Sequence, residues 1–164
     1  MNKYQIDEFI QAVNRDSGFS CTFVQEDRAL VVYSARKTSQ HLRQTLTIDL
    51  NFYLKNNQSV FLMNVSRGFG GENRDKINEI LLRLNSITRN GNFAIWPNTG
   101  DIIFKYEFLI ESFEHKKLLK ILEYFEDMYD SVKPILEKSG DSLGLYPLTQ
   151  IENDKLVDDI QKLF

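Results

Sequence analysis

The stretch Thr45-Leu46-Thr47-Ile48-Asp49-Leu50-Asn51-Phe52-Tyr53-Leu54 decides the fold. Its apolar residues fall on every second position, the period of a β-strand, whose successive side chains point to opposite faces. Leu46, Ile48, Leu50, Phe52 and Leu54 therefore share one face, and Thr45, Thr47, Asp49, Asn51 and Tyr53 share the other. A strand that is greasy on one side and polar on the other belongs in an antiparallel sheet with one face on a core and one in water.

Reading outward, Asn56-Asn57 supplies residues that tolerate positive φ, and Ser59 to Val65 is a second apolar run, so the two segments form a hairpin. Upstream, Ser20 to Gln25 and Arg28 to Ala35 read as two strands joined across the polar Glu26-Asp27 turn. Before them, Ile6, Phe9, Ile10 and Val13 lay one stripe along a helix that Asp16-Ser17-Gly18 stops. Downstream, Arg67-Gly68-Phe69-Gly70-Gly71 breaks the sheet. A helix begins near Asn73, buries Ile77, Ile80, Leu81, Leu84 and Ile87 or Thr88, and ends at Asn90-Gly91. Asn92 to Trp96 and Asp101 to Glu111 read as two more strands across the turn Pro97-Asn98-Thr99-Gly100.

The longest helix is expected from His115 to about Lys138. Leu118, Leu122, Phe125, Tyr129, Val132 and Leu136 recur along it at alternating steps of four and three, and Leu119, Ile121, Met128 and Ile135 widen that seam into a stripe suited to packing on a sheet. Pro134 is expected to kink its last turns. Residues 139–150 read as a linker. Residues 151–164 read as a short amphipathic C-terminal helix with a Thr149/Glu152 capping box and the apolar stripe Leu156, Val157, Ile160, Leu163 and Phe164. The predicted fold class is α+β, an antiparallel sheet with helices packed on one side in the order α-β-β-β-β-α-β-β-α, forming one domain over residues 1–138.

The second half resembles a known family. Ile80-Leu81-Leu82-Arg83-Leu84-Asn85, then Asn92-Phe93-Ala94-Ile95, then Gly100-Asp101-Ile102-Ile103-Phe104-Lys105-Tyr106-Glu107, and a helix ending near Val132-Lys133-Pro134-Ile135-Leu136 look like the YbjN-type domain, which has the type III secretion chaperone-like fold. The resemblance covers residues 3–138, is strongest over 77–136, and leaves the tail from Ser139 without a counterpart. It implies a small acidic protein, frequently dimeric, that binds other proteins or serves as a sensory or regulatory factor, with no cofactor. The basic stretch Arg36-Lys37-Thr38-Ser39-Gln40-His41-Leu42-Arg43 departs from the pattern and reads as a surface loop.

Composition narrows the classes. With 42% hydrophobic and 26% charged residues in 164, the chain is ordinary globular material able to bury a core without a staple. Twenty basic against 23 acidic residues give a net charge of −3, a poor match to a phosphate backbone, so nucleic acid is not the expected partner. A lone cysteine, Cys21, makes no internal disulfide, and two histidines do not complete a zinc site with it, so no metal is expected. The first residues lack a secretory signal's apolar core and no run of eighteen uncharged apolar residues occurs, which predicts a cytoplasmic protein with no membrane contact.

Single residues give weak chemical signals. Gly68–Gly71 follows a strand and precedes a helix, where amides hold anions, yet it lacks the spaced-glycine fingerprint and the Gly-Lys-Ser/Thr of a phosphate loop and reads first as a connection. Cys21 falls inside a predicted strand and reads as a small buried apolar residue. His41 and His115 sit where exposed polar residues are ordinary, and Asp49, Glu107 and Glu111 are carboxylates on wet strand faces. No catalytic residue is assigned.

What remains is apolar surface. Twelve Phe, seven Tyr and one Trp exceed what one core this size requires. The expected function is a non-enzymatic protein-binding module, chaperone-like or regulatory, homodimeric, contacting another protein. Its candidate contact residues are Leu118, Leu122, Phe125, Tyr129 and Val132 on the long helix and Leu156, Ile160 and Leu163 on the tail. The alternatives are a small-ligand or phosphate-binding protein or enzyme using Gly68–Gly71 with Arg67, Arg74 and Lys76, and an immunity-type protein that neutralises a toxin.

Overall fold

A computed structural model describes residues 3–66, 74–97, 99–112 and 114–145. In chain order they form α1 (Lys3–Asp16), β1 (Ser20–Glu26), β2 (Leu30–Thr38), β3 (Thr45–Tyr53), β4 (Gln58–Ser66), α2 (Arg74–Ile87), β5 (Asn92–Ile95), β6 (Ile102–Leu109), a single 3-10 turn (Ile110–Ser112) and α3 (His115–Leu145). This is an α+β fold with a six-stranded antiparallel sheet, ordered β1-β2-β3-β4-β6-β5. β1 and β5 are its two edges. No helix among the described residues is long and apolar enough to cross a membrane.

The alternation in β3 appears as burial: Leu46, Ile48, Leu50 and Phe52 are buried, while Thr45, Asp49 and Tyr53 are exposed. Register carries that division to both neighbours, since Val31 faces Phe52 on β2 and Phe61 faces Leu50 on β4. At the β3–β4 turn Asn57 takes φ of 51°, a left-handed backbone that asparagine accepts more readily than most residues. Asn57 O also accepts the Ile110 N–H at 2.9 Å, while Asn64 Nδ2 donates to Asp101 Oδ2 at 3.0 Å. As β4 ascends from 57 to 64 its partner descends from 110 to 101, which makes that pairing antiparallel.

The chain divides into two compact units, Met1–Met63 with Tyr106–Asp127 and Asn64–Lys105 with Met128–Phe164. In the first, α1 presses Phe9 onto the sheet face that β3 buries. The Phe9 ring stacks on Phe61 with centroids 6.1 Å apart and meets Phe52 edge-on at 6.4 Å, and Phe108 closes on Phe61 at 5.2 Å. Ring pairs of this kind add about 0.5–1.5 kcal/mol to the gain from burial itself. Leu118, Ile121, Leu122 and Phe125 of α3 belong to this buried set.

In the second unit α2 buries Ile77, Ile80, Leu81 and Leu84. Phe93 on β5 pairs with Phe104 on β6, their ring centroids 5.0 Å apart. Gly91 enters this hairpin at φ of 82°, and a Cβ there would lie 2.5 Å from Lys105 O. Glycine is required at that turn on both counts. Met128, Tyr129, Val132 and Leu136 of α3 are buried in this unit.

Several boundaries differ from the sequence reading, and β6 ends at Leu109, short of the expected Glu111, where a 3-10 turn takes over. β2 runs on through Arg36, Lys37 and Thr38, so the expected basic loop shrinks to Ser39–Gln44. Ser39 anchors that tight turn, accepting the Arg43 N–H on its carbonyl and the Leu42 N–H on its hydroxyl. α3 continues to Leu145, past Pro134 and through Ser139–Ser142, which composition reads as linker. Pro134 cannot donate to the carbonyl four residues before it, yet the surrounding turns hold the helix together.

Candidate functional site

The surface of interest is the flank where α1 lies beside the edge strand β1. Its geometry follows from two contacts. Lys3 Nζ meets Glu26 Oε2 at 2.8 Å and Asn14 Oδ1 accepts the Cys21 N–H at 2.8 Å. Eleven helical steps from 3 to 14 and five strand steps from 21 to 26 each span roughly 16–17 Å, so helix and strand run side by side along their lengths.

Along this flank β1 buries almost nothing: six of its seven residues are exposed and Cys21 is half-buried. A bulge between Phe23 and Gln25 inserts Val24 as an extra residue and turns the strand. Phe23 stands 57% exposed, Val24 53% and, on α1 next to Lys3, Tyr4 66%. Phe23 is held from behind by the edge of Tyr33, centroids 5.8 Å apart, and the Tyr33 hydroxyl donates to Asp7 Oδ1 at 3.2 Å. Isolated exposed apolar residues are ordinary, and here two of them, Phe23 and Val24, are adjacent on one edge strand.

Two ion pairs lie along α1 and β1. Lys3 is paired with Glu26, and its hydrogen bond to that carboxylate raises the ammonium pKa above the usual lysine value. Arg15 is paired with Asp16 at 3.0 Å. Burial, followed by the Asp7 charge, pushes the Tyr33 phenol up, and burial pushes the Cys21 thiol up to about 12. A thiol with that pKa stays protonated near neutrality and is a poor nucleophile.

The long-helix residues expected to meet a partner lie elsewhere. Leu118, Leu122, Phe125, Tyr129 and Val132 are each 5% exposed or less within this single chain, where they serve as core. Leu156, Ile160 and Leu163, with Val157 and Phe164, lie outside the described residues, as do Arg67, the Gly68–Gly71 loop and the side chains of Arg74 and Lys76. His41 is exposed in the β2–β3 turn, and His115 is half-buried with its ring 6.1 Å from Phe9. Lys37, expected on a basic loop, points inward instead. Its Nζ meets Glu126 Oε2 at 2.5 Å and lies 5.5 Å from the centre of the Phe19 ring.

The carboxylates are not brought together. Asp49 sits on the uncovered face of β3 across from Ser34 and Leu62, β4 stands between it and Glu107 on β6, and Glu111 falls in the 3-10 turn. Neighbouring groups partly desolvate the Asp49 carboxyl and raise its pKa, and Arg36 partly opposes the shift. Among the described residues no group of three or more His, Cys, Asp or Glu side chains is placed to hold a metal.

Phe23 and Val24 were legible as strand residues but not as surface, because an edge position depends on strand order, which one sequence does not carry. The weak signal was β1 itself: Cys21-Thr22-Phe23-Val24-Gln25 breaks strict alternation where the bulge falls. No family model matches the chain, and no curated protein matches it.

Proposed function

We propose that the chain is a non-enzymatic protein-binding module of the chaperone-like or regulatory kind, a cytoplasmic homodimer that meets another polypeptide through apolar side chains. The resemblance of residues 77–136 to the YbjN-type domain supports this reading. The observation that carries it is the outer edge of β1, where Phe23 and Val24 stand side by side and more than half exposed, with Tyr4 exposed on the neighbouring α1. Such a surface gains by covering apolar area, at about 25 cal/mol per Å².

The test places a photo-crosslinking residue at position 23 and measures the solution mass by light scattering. Twice the 19.2 kDa chain mass and a crosslink through position 23 to a polypeptide are expected. A single-chain mass at all micromolar concentrations, with no crosslink from position 23 in cell extract, sinks the proposal.

A further inference from the structure

The two edges of the sheet end alike. On β1 the Cys21 N–H points away from β2 and is taken by Asn14 Oδ1 of α1 at 2.8 Å. On β5 the Phe93 N–H and C=O point away from β6, and Asn85 of α2 meets both, accepting at Oδ1 at 2.6 Å and donating from Nδ2 at 2.9 Å. A primary amide presents the same acceptor and donor as a peptide bond. Asn85 therefore imitates one residue of a neighbouring strand, and Asn14 supplies half of that imitation.

An outer strand with a free row of amides and carbonyls is a template for another chain. The same edges carry other obstacles: the bulge at Val24 bends β1, and β5 is four residues long. Yet β1 between Ser20 and Gln25 holds no charge and no proline, so its side chains alone do not repel a neighbouring strand. We propose that Asn14 and Asn85 are edge guards, Asn14 occupying the outward N–H of Cys21 on β1 and Asn85 both outward groups of Phe93 on β5, so that the sheet does not grow by strand addition. A partner at the β1 flank is then met through side chains rather than main chain. That last clause rests on the proposed function, whereas the guarding does not.

The experiment compares the wild-type protein with N14A, N85A, N14A/N85A and N14D by light scattering from micromolar to near-millimolar concentration, with circular dichroism on the same samples. One freed edge is expected to double the mass of the wild-type species, because two like edges pair about a two-fold axis and close. Two freed edges on one chain are expected to give open-ended growth with concentration. N14D keeps an acceptor for the Cys21 N–H and is expected to retain the wild-type mass. The proposal is overturned if N14A, N85A and the double variant all keep the wild-type mass while folded. It is equally overturned if N14D associates as N14A does, or if growth sets in only where the dichroism signal is being lost. Should N14A not fold, N85A decides by the same outcomes at the other edge. Failure here leaves the photo-crosslink at position 23 unaffected, so the two readings fall separately.

Discussion

Asp49 shows how one residue can be both legible and unhelpful to the fold. The alternation of β3 places it on the polar face, and there it stands, across from Ser34 and Leu62. Partial desolvation raises its pKa, so ionisation is disfavoured in the folded chain relative to the unfolded one. For an acid shifted upward the consequence has a fixed sign. Stability is greatest where the carboxyl is protonated in both states and declines as pH rises through the unfolded and then the folded pKa. Asp49→Asn is expected to raise the melting temperature at pH 7 by about 1–2 °C, corresponding to roughly 0.5 kcal/mol. The gain should vanish by pH 3, and thermal melts of both proteins at the two pH values check it. An equal gain at pH 3 would mean that packing rather than ionisation was responsible.

At the scale of elements, Lys37 and Glu126 fasten the end of β2 to α3 within the first unit. Both side chains are largely buried, Lys37 also lying over the Phe19 ring, so removing one partner leaves a charge without compensation. Glu126→Gln is expected to cost about 3 kcal/mol in denaturant unfolding, and Lys37→Met with Glu126→Leu to recover most of it, because an apolar pair needs no desolvation. Singles and double that lose stability additively would show that the pair is not coupled. The β5–β6 hairpin has a different kind of dependence. Gly91→Ala places a Cβ against Lys105 O at a positive φ and is expected to cost about 2 kcal/mol, read from the same unfolding curves.

These elements also mark how far the sequence was readable. Periodicity located β3, the Asn57 turn and the buried stripe of α2, because burial repeats along the chain wherever one face of an element meets a core. It misplaced Lys37, whose charge argued for solvent while its register put it on the buried side, paired with Leu46. It ended α3 early at the glycine and serines near 140, because local composition does not register what holds a helix past them. The exposure of Phe23 and Val24 eluded it more completely. The seam Leu118 to Val132 has the spacing of a binding face, but spacing is the same whether the stripe meets its own sheet or another molecule. Only burial within the chain decides between them.

For the molecule as a whole, binding and folding should be separable because they draw on different apolar residues. The aromatic rings Phe9, Phe52, Phe61, Phe93, Phe104 and Phe125 are fully enclosed, and truncating any one of them to alanine would cost about 3–5 kcal/mol by leaving a cavity. Phe23 and Val24 stand outside that set, with more than half of their surface left in water. Phe23→Ser with Val24→Ser is therefore expected to cost about 1–2 kcal/mol of unfolding free energy, the Phe23–Tyr33 ring contact included, which is well below a core truncation. On the proposed reading the same double variant should weaken partner binding at least tenfold, the equivalent of about 1.4 kcal/mol. Loss of several kcal/mol of stability would mean that the flank belongs to the core. Unchanged association with unchanged stability would mean that Phe23 and Val24 contribute to neither, and would remove the flank from the account of function.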